Sequence, residues 1–144
     1  MKIMILNGPN LARLDIRDSS IYGDLTYAML VTFISENALR LGFEADIRQS
    51  DDESEIIQWL HEAADSKIPV ILNPAAFTHY SYAIRDAAEM LKAPLIEVHL
   101  SNPLSREEFR HTSVISGIAQ GTIAGFGPNS YLLALEAMKT LVQK

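Results

Sequence analysis

Lys2-Ile3-Met4-Ile5-Leu6-Asn7, running into Gly8-Pro9-Asn10, is the stretch on which the fold turns. An apolar run this short that stops at Asn-Gly-Pro-Asn reads as a buried strand followed by a turn. The pattern recurs down the chain. Ile68-Pro69-Val70-Ile71-Leu72-Asn73 is another such run, as are Pro94 to His99 and Thr122 to Phe126. Phe43, Ala45 and Ile47 alternate with Glu44, Asp46 and Arg48, as in a strand with one wet face. The segments between carry helical spacing. Tyr27, Leu30, Val31, Ile34, Ala38 and Leu41 share one face, and Gly42 supplies the stop. Ile56, Ile57, Leu60, Ala63 and Ala64 share another, opened by the capping-box spacing of Ser50 and Glu53. Ser81 to Leu91 places Ile84, Ala87, Ala88 and Leu91 together, and Asn129 is expected to cap a last helix carrying Leu132, Leu135, Met138, Leu141 and Val142. Ser105 and Glu108 repeat the capping-box spacing before a short helical piece. Residues 11–24 have no clean period and read as a long loop, a feature that compact domains reserve for function. Strand and helix thus alternate five times. That predicts an α/β fold: one five-stranded parallel sheet with helices on both faces, a flavodoxin-like three-layer sandwich of strand order 2-1-3-4-5.

Composition agrees with a single domain over 1–144. The chain has 144 residues, 48% hydrophobic and 21% charged, an ordinary globular mixture. Cysteine is absent, which removes disulfides, thiolate ligands and cysteine nucleophiles together and fits a reducing, cytoplasmic setting. The net charge is −6 and no run of Lys or Arg could track a phosphate backbone, so nucleic acid is not an expected partner. The apolar run at the amino end is too short for the core of a signal peptide. No stretch approaches the roughly 20 apolar residues of a membrane span.

Open α/β sheets bind ligands beyond the carboxyl ends of their strands. The first strand ends at Asn7-Gly8-Pro9-Asn10, the third at Asn73-Pro74 with Thr78-His79 after it, and the fourth at Glu97-Val98-His99-Leu100-Ser101. Each of these groups alone is as readily a turn former or a satisfied strand-end histidine; their convergence on one sheet edge points to a site. His61, inside a helix beside Glu62, reads as solvated surface. Several chemistries have no motif here. The chain lacks a Gly-x-x-x-x-Gly-Lys-Ser/Thr loop, a Gly-x-Gly-x-x-Gly turn and a His-Glu-x-x-His helix, so neither nucleotide binding nor a metal site is expected. Lys2, Lys67, Lys92, Lys139 and Lys144 fall before strands or near helix ends on the other edge, out of place for an imine with a carbonyl substrate.

Ordered along the chain are Asn7-Gly8-Pro9-Asn10-Leu11, Arg17 with Ile21-Tyr22-Gly23, Asn73-Pro74-Ala75-Ala76-Phe77-Thr78-His79 running into Ala83-Ile84-Arg85-Asp86, Glu97-Val98-His99-Leu100-Ser101-Asn102, and Arg106-Glu107-Glu108-Phe109-Arg110-His111. In these motifs the chain resembles the type II 3-dehydroquinate dehydratases along nearly its whole length. The resemblance implies a hydro-lyase that converts 3-dehydroquinate to 3-dehydroshikimate in the shikimate route to aromatic compounds, through an enolate and with no metal, cofactor or imine. It implies Tyr22 as the base that takes a proton from C2, Arg17 as its activator on a mobile active-site loop spanning 11–24, and His99, oriented by Glu97, as the acid for the departing C1 hydroxyl. Asn10 would hold a water near the enolate oxygen. Asn73, His79, Leu100, Ser101 and Arg110 would touch substrate. Asp86 would reach the site of a neighbouring subunit, since the family forms trimers stacked into dodecamers. The family's loop runs close to Asn-Leu-Asn-Leu-Leu-Gly-x-Arg-Glu-Pro; here it is Asn10-Leu11-Ala12-Arg13-Leu14-Asp15-Ile16-Arg17-Asp18-Ser19. That difference motivates a second reading, a flavodoxin-like binding module that keeps the pocket without turnover.

The chemistry has demands these residue types can meet. Ionising a phenol of pKa about 10 near neutral pH costs about 4 kcal/mol, at about 1.4 kcal/mol per unit. One guanidinium about 4 Å away offsets about that much at an effective dielectric near 20. Hydroxide leaves poorly, so an acid must meet it, and a histidine beside a carboxylate suits the task. Glu97 and His99 are two apart on a strand, hence on the same face.

Overall fold

Strands β1 (Lys2–Asn7), β2 (Glu44–Gln49), β3 (Val70–Asn73), β4 (Leu95–His99) and β5 (Gly121–Ala124) form one sheet in the order β2-β1-β3-β4-β5. Every neighbouring pair is parallel, which is the expected topology. The computed structural model describes residues 1–144. Its helices are α1 (Ser19–Tyr22), α2 (Tyr27–Arg40), α3 (Glu53–Ser66), α4 (Tyr82–Glu89) and α5 (Asn129–Val142).

The period of two along β1 sorts the layers. Ile3 and Ile5 enter one core with Leu30 and Ile34 of α2 and Leu135 and Met138 of α5. Met4 and Leu6 enter the opposite core with Ile56 and Leu60 of α3 and Ile84 and Ala87 of α4. Each such side chain contributes about 1.5–3 kcal/mol when fully buried, so the continuous apolar run of β1 stabilises both layers. Edge strand β2 is only half-buried. Arg48 covers it by pairing with Asp46 at 2.7 Å and with Glu62 of α3 at 2.8 Å.

Four local expectations are corrected. Asp52, not Ser50, caps α3, accepting from the Ser54 amide; Ser50 accepts from the Asp52 amide instead. The Glu53 carboxylate accepts from the Ser81 hydroxyl at 2.6 Å, and Ser81 is the cap of α4, so Glu53 joins two helices rather than closing a box. Ser105 and Glu108 form no box: Asn102 caps the 3-10 turn at Pro103–Ser105, and the turn at Glu108–His111 has no side-chain cap. Asn129 lies inside the first turn of α5, where Pro128 already occupies the cap position and no side chain bonds the end. Residues 11–24 are not wholly irregular, because Leu11–Ile16 is a 3-10 segment and Ser19–Tyr22 is α1. Leu11 and Leu14 are buried, pinning that segment to the core at a spacing too short to register as periodicity.

The carboxyl ends of β1 and β3 are clamped together. Asn7 pairs with Asn73 in register. The buried Tyr131 hydroxyl donates to Asn7 Oδ1 at 2.6 Å and accepts from Asn73 Nδ2 at 2.8 Å. Burial pushes the Tyr131 phenol well above its ordinary value, which keeps it a neutral donor. Gly8 passes so close to the next loop that a Cβ there would stand 2.6 Å from the Pro74 carbonyl oxygen. Only glycine fits, and the two strand-end loops leave the sheet side by side.

Candidate active site

A cavity of about 120 Å³ opens where those loops diverge. Asn10, Arg17, Tyr22, Asn73, His79, His99, Leu100, Ser101 and Arg110 all line it. Glu97 lies behind His99, wholly buried. Asp86 does not line the cavity: it is exposed on α4. A larger cleft of about 690 Å³ adjoins, sharing Tyr22, Leu100, Ser101 and Arg106 as its wall. Neither the histidines nor Arg17 border that larger cleft, so it is in the smaller cavity that the candidate groups meet.

On one side is Tyr22, half-buried at the end of α1. Arg17 Nη2 donates to its hydroxyl at 2.5 Å, and Arg106 Nη1 donates at 2.9 Å while also reaching Ser101 Oγ at 3.2 Å. Arg17 also stacks on the ring, its guanidinium carbon 4.1 Å from the centroid. Two guanidiniums thus converge on one phenolic oxygen. Burial holds the Arg17 guanidinium below its ordinary value; the Tyr22 oxygen opposes that shift, and Arg106 and Arg110 add to it. The loop geometry that aims Arg17 is local. Asp18 caps α1 through the Ser20 amide, so the chain turns just after Arg17 and brings Tyr22 back against it.

On the other side is the His99–Glu97 pair at the end of β4. His99 Nε2 meets Glu97 Oε2 at 2.5 Å. Burial alone would raise the Glu97 carboxyl, but its contact with His99 and the hydroxyls of Ser116 and Thr78 outweigh that and hold it below the usual carboxylate range. His79 is fixed by its Nδ1 contact with the Thr112 carbonyl at 2.8 Å. Asn10 stands in the left-handed region at φ 70, its amide donating to Asp51 Oδ1 at 2.9 Å. Gln49 donates to the same Asp51 oxygen and to the Gly8 carbonyl, so the end of β2 supports the Asn10 turn. The Ala75 amide donates to Asn73 Oδ1 at 3.1 Å, which stabilises the left-handed Ala75 that starts the turn leading to His79. Arg110 donates Nε to Glu107 at 2.5 Å.

Comparison with known proteins gives the family. The family described as Dehydroquinase class II matches residues 1–139. The chain belongs to the class II dehydroquinase family. It is 55% identical over 135 residues to a 3-dehydroquinate dehydratase of Salinispora tropica, covering 94% of each chain. It is 56% identical over 135 residues to one of Mycobacteroides abscessus, again with 94% of each covered. Among solved structures it resembles the type II dehydroquinase of Propionibacterium acnes at a TM-score of 0.94 and 49% identity, covering 96% of both chains.

Within this dehydroquinase fold the sequence reading missed Arg106. It stands in a quoted motif, but nothing in linear order sets it apart from Arg110, and its contact with Tyr22 spans 84 residues. Tyr131, Gln49 and Asp51 were missed for the same reason: each acts on a residue far away in the chain. His61 is exposed on α3, as expected. His111 is exposed, its Nε2 on the Arg106 carbonyl at 3.0 Å, where it steadies the turn carrying Arg106.

Proposed function

We propose that this chain catalyses the trans-dehydration of 3-dehydroquinate to 3-dehydroshikimate, as a hydro-lyase of the shikimate pathway. The observation that carries the reading is a tyrosine hydroxyl held by two guanidiniums in the same cavity as a buried carboxylate–histidine pair, in a class II dehydroquinase. Tyr22, as phenolate, takes the C2 proton, and the C–H electron pair becomes the enolate. Asn10, through a water, stabilises the enolate oxygen. His99 then gives its proton to the C1 hydroxyl as the C–O bond breaks, and water leaves. Arg17 and Arg106 hold the phenolate, and Glu97 orients His99. His79, Asn73, Leu100, Ser101 and Arg110 hold the substrate, whose carboxylate suits a guanidinium.

Residues 1–144 act as one catalytic domain, with 11–24 as its lid. The lid reading rests on the exposure of most of that segment and on its carrying both Arg17 and Tyr22. Asp86, exposed and outside its own chain's cavity, completes the site of a neighbouring subunit in trimers that assemble into a dodecamer. A cytoplasmic location is the reading the cysteine-free sequence supports. No helix is long and apolar enough to cross a membrane.

The test is direct. Purified chain is mixed with 3-dehydroquinate and the ultraviolet absorbance of the conjugated product is followed. Absorbance should rise in proportion to enzyme, and a flat trace at high enzyme overturns the proposal.

A further inference from the structure

Glu97 is buried at the end of β4, yet its two oxygens are crowded with donors. Thr78 Oγ1 donates to Oε2 at 2.5 Å, Ser116 Oγ donates to Oε1 at 2.6 Å, and Ser113 Oγ stands 3.0 Å from Oε1 and 3.2 Å from Oε2. These hydroxyls come from separate places: Thr78 from the turn after β3, Ser113 and Ser116 from the stretch before β5.

Each hydroxyl has one proton to give. Ser113 Oγ already accepts from the amides of Ile115 and Ser116, both at 3.0 Å, so both of its lone pairs are taken. Its proton goes to Glu97 or to Thr78 Oγ1, 2.7 Å away, and in the second case Thr78 passes a donor on to Glu97. Ser116 Oγ accepts from Thr122 Oγ1 at 3.1 Å and donates onward to Glu97. Every chain of donors therefore ends on the carboxylate, and the basket is built for an acceptor.

We propose that Thr78, Ser113 and Ser116 are positioning residues for the acid: they hold Glu97 as an acceptor-only carboxylate, which fixes a proton on His99 Nε2 and leaves His99 Nδ1 as the atom that protonates the leaving hydroxyl. This rests on the dehydratase reading above. A buried Glu–His contact can share its proton either way round, as carboxylate with N–H or as carboxylic acid with bare nitrogen. Donors aimed at the carboxylate favour the first arrangement. The other groups around the cavity do not supply the countercharge. Arg17, Arg106 and Arg110 are cations, His79 and His111 are bases, and Tyr22 is held by its own guanidiniums. Glu97 alone meets the ring as an anion. In the step itself, the Nδ1–H bond breaks, its proton joins the departing oxygen, the C–O electron pair goes with that oxygen, and water leaves. The ring is left neutral with Nε2–H intact and regains its Nδ1 proton from solvent.

The test uses the full chain with nitrogen-15-labelled histidine. Nuclear magnetic resonance should find His99 Nε2 protonated and bonded to Glu97 in the resting chain. In Thr78→Val/Ser116→Ala, part of the population should lose the Nε2 proton. In that variant kcat should fall about 10-fold or more while KM stays within about two-fold, since the loss falls on proton transfer and not on binding. Ser116→Ala alone, which removes no backbone contact, should show the same changes to a smaller degree and serves if the double variant does not fold. Ser116→Thr, which keeps the hydroxyl, should retain wild-type kcat and ring signals. A wild-type His99 with its proton on Nδ1 and a bare Nε2 overturns the proposal. So do unchanged ring signals and kcat in the Ala and Val variants, or a Ser116→Thr chain that behaves like Ser116→Ala. Ring signals are read without turnover, so a wild-type chain that fails to dehydrate 3-dehydroquinate defeats the dehydratase reading while the nitrogen assignment is judged separately.

Discussion

The two sides of the cavity are made by opposite means. Tyr22 and Arg17 sit five residues apart on a mostly exposed connection of short helical pieces between β1 and α2, and their third member, Arg106, comes from a 3-10-rich loop 84 residues on. Glu97 and His99 sit two apart on an interior strand, with hydroxyls packed round a carboxylate that solvent never reaches. A phenolate needs charge brought to it, and charge can be carried in on a loop. A buried carboxylate needs donors in fixed positions, and a sheet fixes positions. The proposed base is thus the side that assembles and the proposed acid the side that is prebuilt.

Removing the base should have the largest effect. Tyr22→Phe deletes the proposed proton acceptor and is expected to lower kcat by about 10³-fold or more, with KM little changed, in the product-absorbance assay. Substrate binding measured by calorimetry should survive in the same variant.

The prebuilt side should show its loss in stability. Glu97→Gln breaks a buried, hydrogen-bonded pair and should cost about 3 kcal/mol in urea denaturation. The sign of its pH dependence follows from the depressed carboxyl of Glu97. Its stabilisation is whole above the unfolded carboxyl value of about 4.3 and is lost as pH falls through its lower folded value. The wild-type denaturation curve should therefore fall more steeply below about pH 4 than that of Glu97→Gln, and curves of equal slope would count against the ionised state.

Arg106→Ala should lower kcat by about 10²-fold through loss of one of the two donors that hold the proposed Tyr22 base, while urea stability stays near wild type. A large stability loss instead would mean that the base side is as structural as the acid side. Tyr131→Phe removes the hydroxyl joining Asn7 and Asn73 and should cost about 1–2 kcal/mol in denaturation, leaving two buried amides short of a partner. The smallest effect is expected at Arg13→Ala. The Arg13–Asp15 pair at 3.2 Å is exposed, so stability should change by less than about 0.5 kcal/mol and kcat by less than about two-fold.

The fold was legible because its signals are local. Ile3 to Leu6, Val70 to Leu72 and Leu95 to Val98 are short buried runs closed by turn residues, and the faces of α2 and α3 carry the expected Leu30–Ile34–Ala38 and Ile56–Leu60–Ala63 stripes. The caps were less legible. Asp52 and Ser50 are both good cap residues two positions apart, and the choice between them depends on where β2 releases the chain. Of the cavity, the residues at strand ends could be read directly, because Asn7, Asn73 and His99 terminate apolar runs. Tyr131, which grips Asn7 and Asn73 from far along the chain, could not.

By itself, the sequence determined the alternation of strands and helices, the sheet order and the edge at which polar groups gather. The alternation and the polar edge follow from hydrophobic period and turn chemistry, which act over a few residues, and the order from the topology that five strand–helix alternations favour. Only the tertiary structure decided that Arg106 joins Arg17 on one phenol, that three hydroxyls face Glu97, and that Tyr131 ties β1 to β3. These contacts join residues 16 to 124 positions apart, and hydrogen bonding at 2.5–3.2 Å depends on where the packed sheet brings each side chain, which no local pattern encodes.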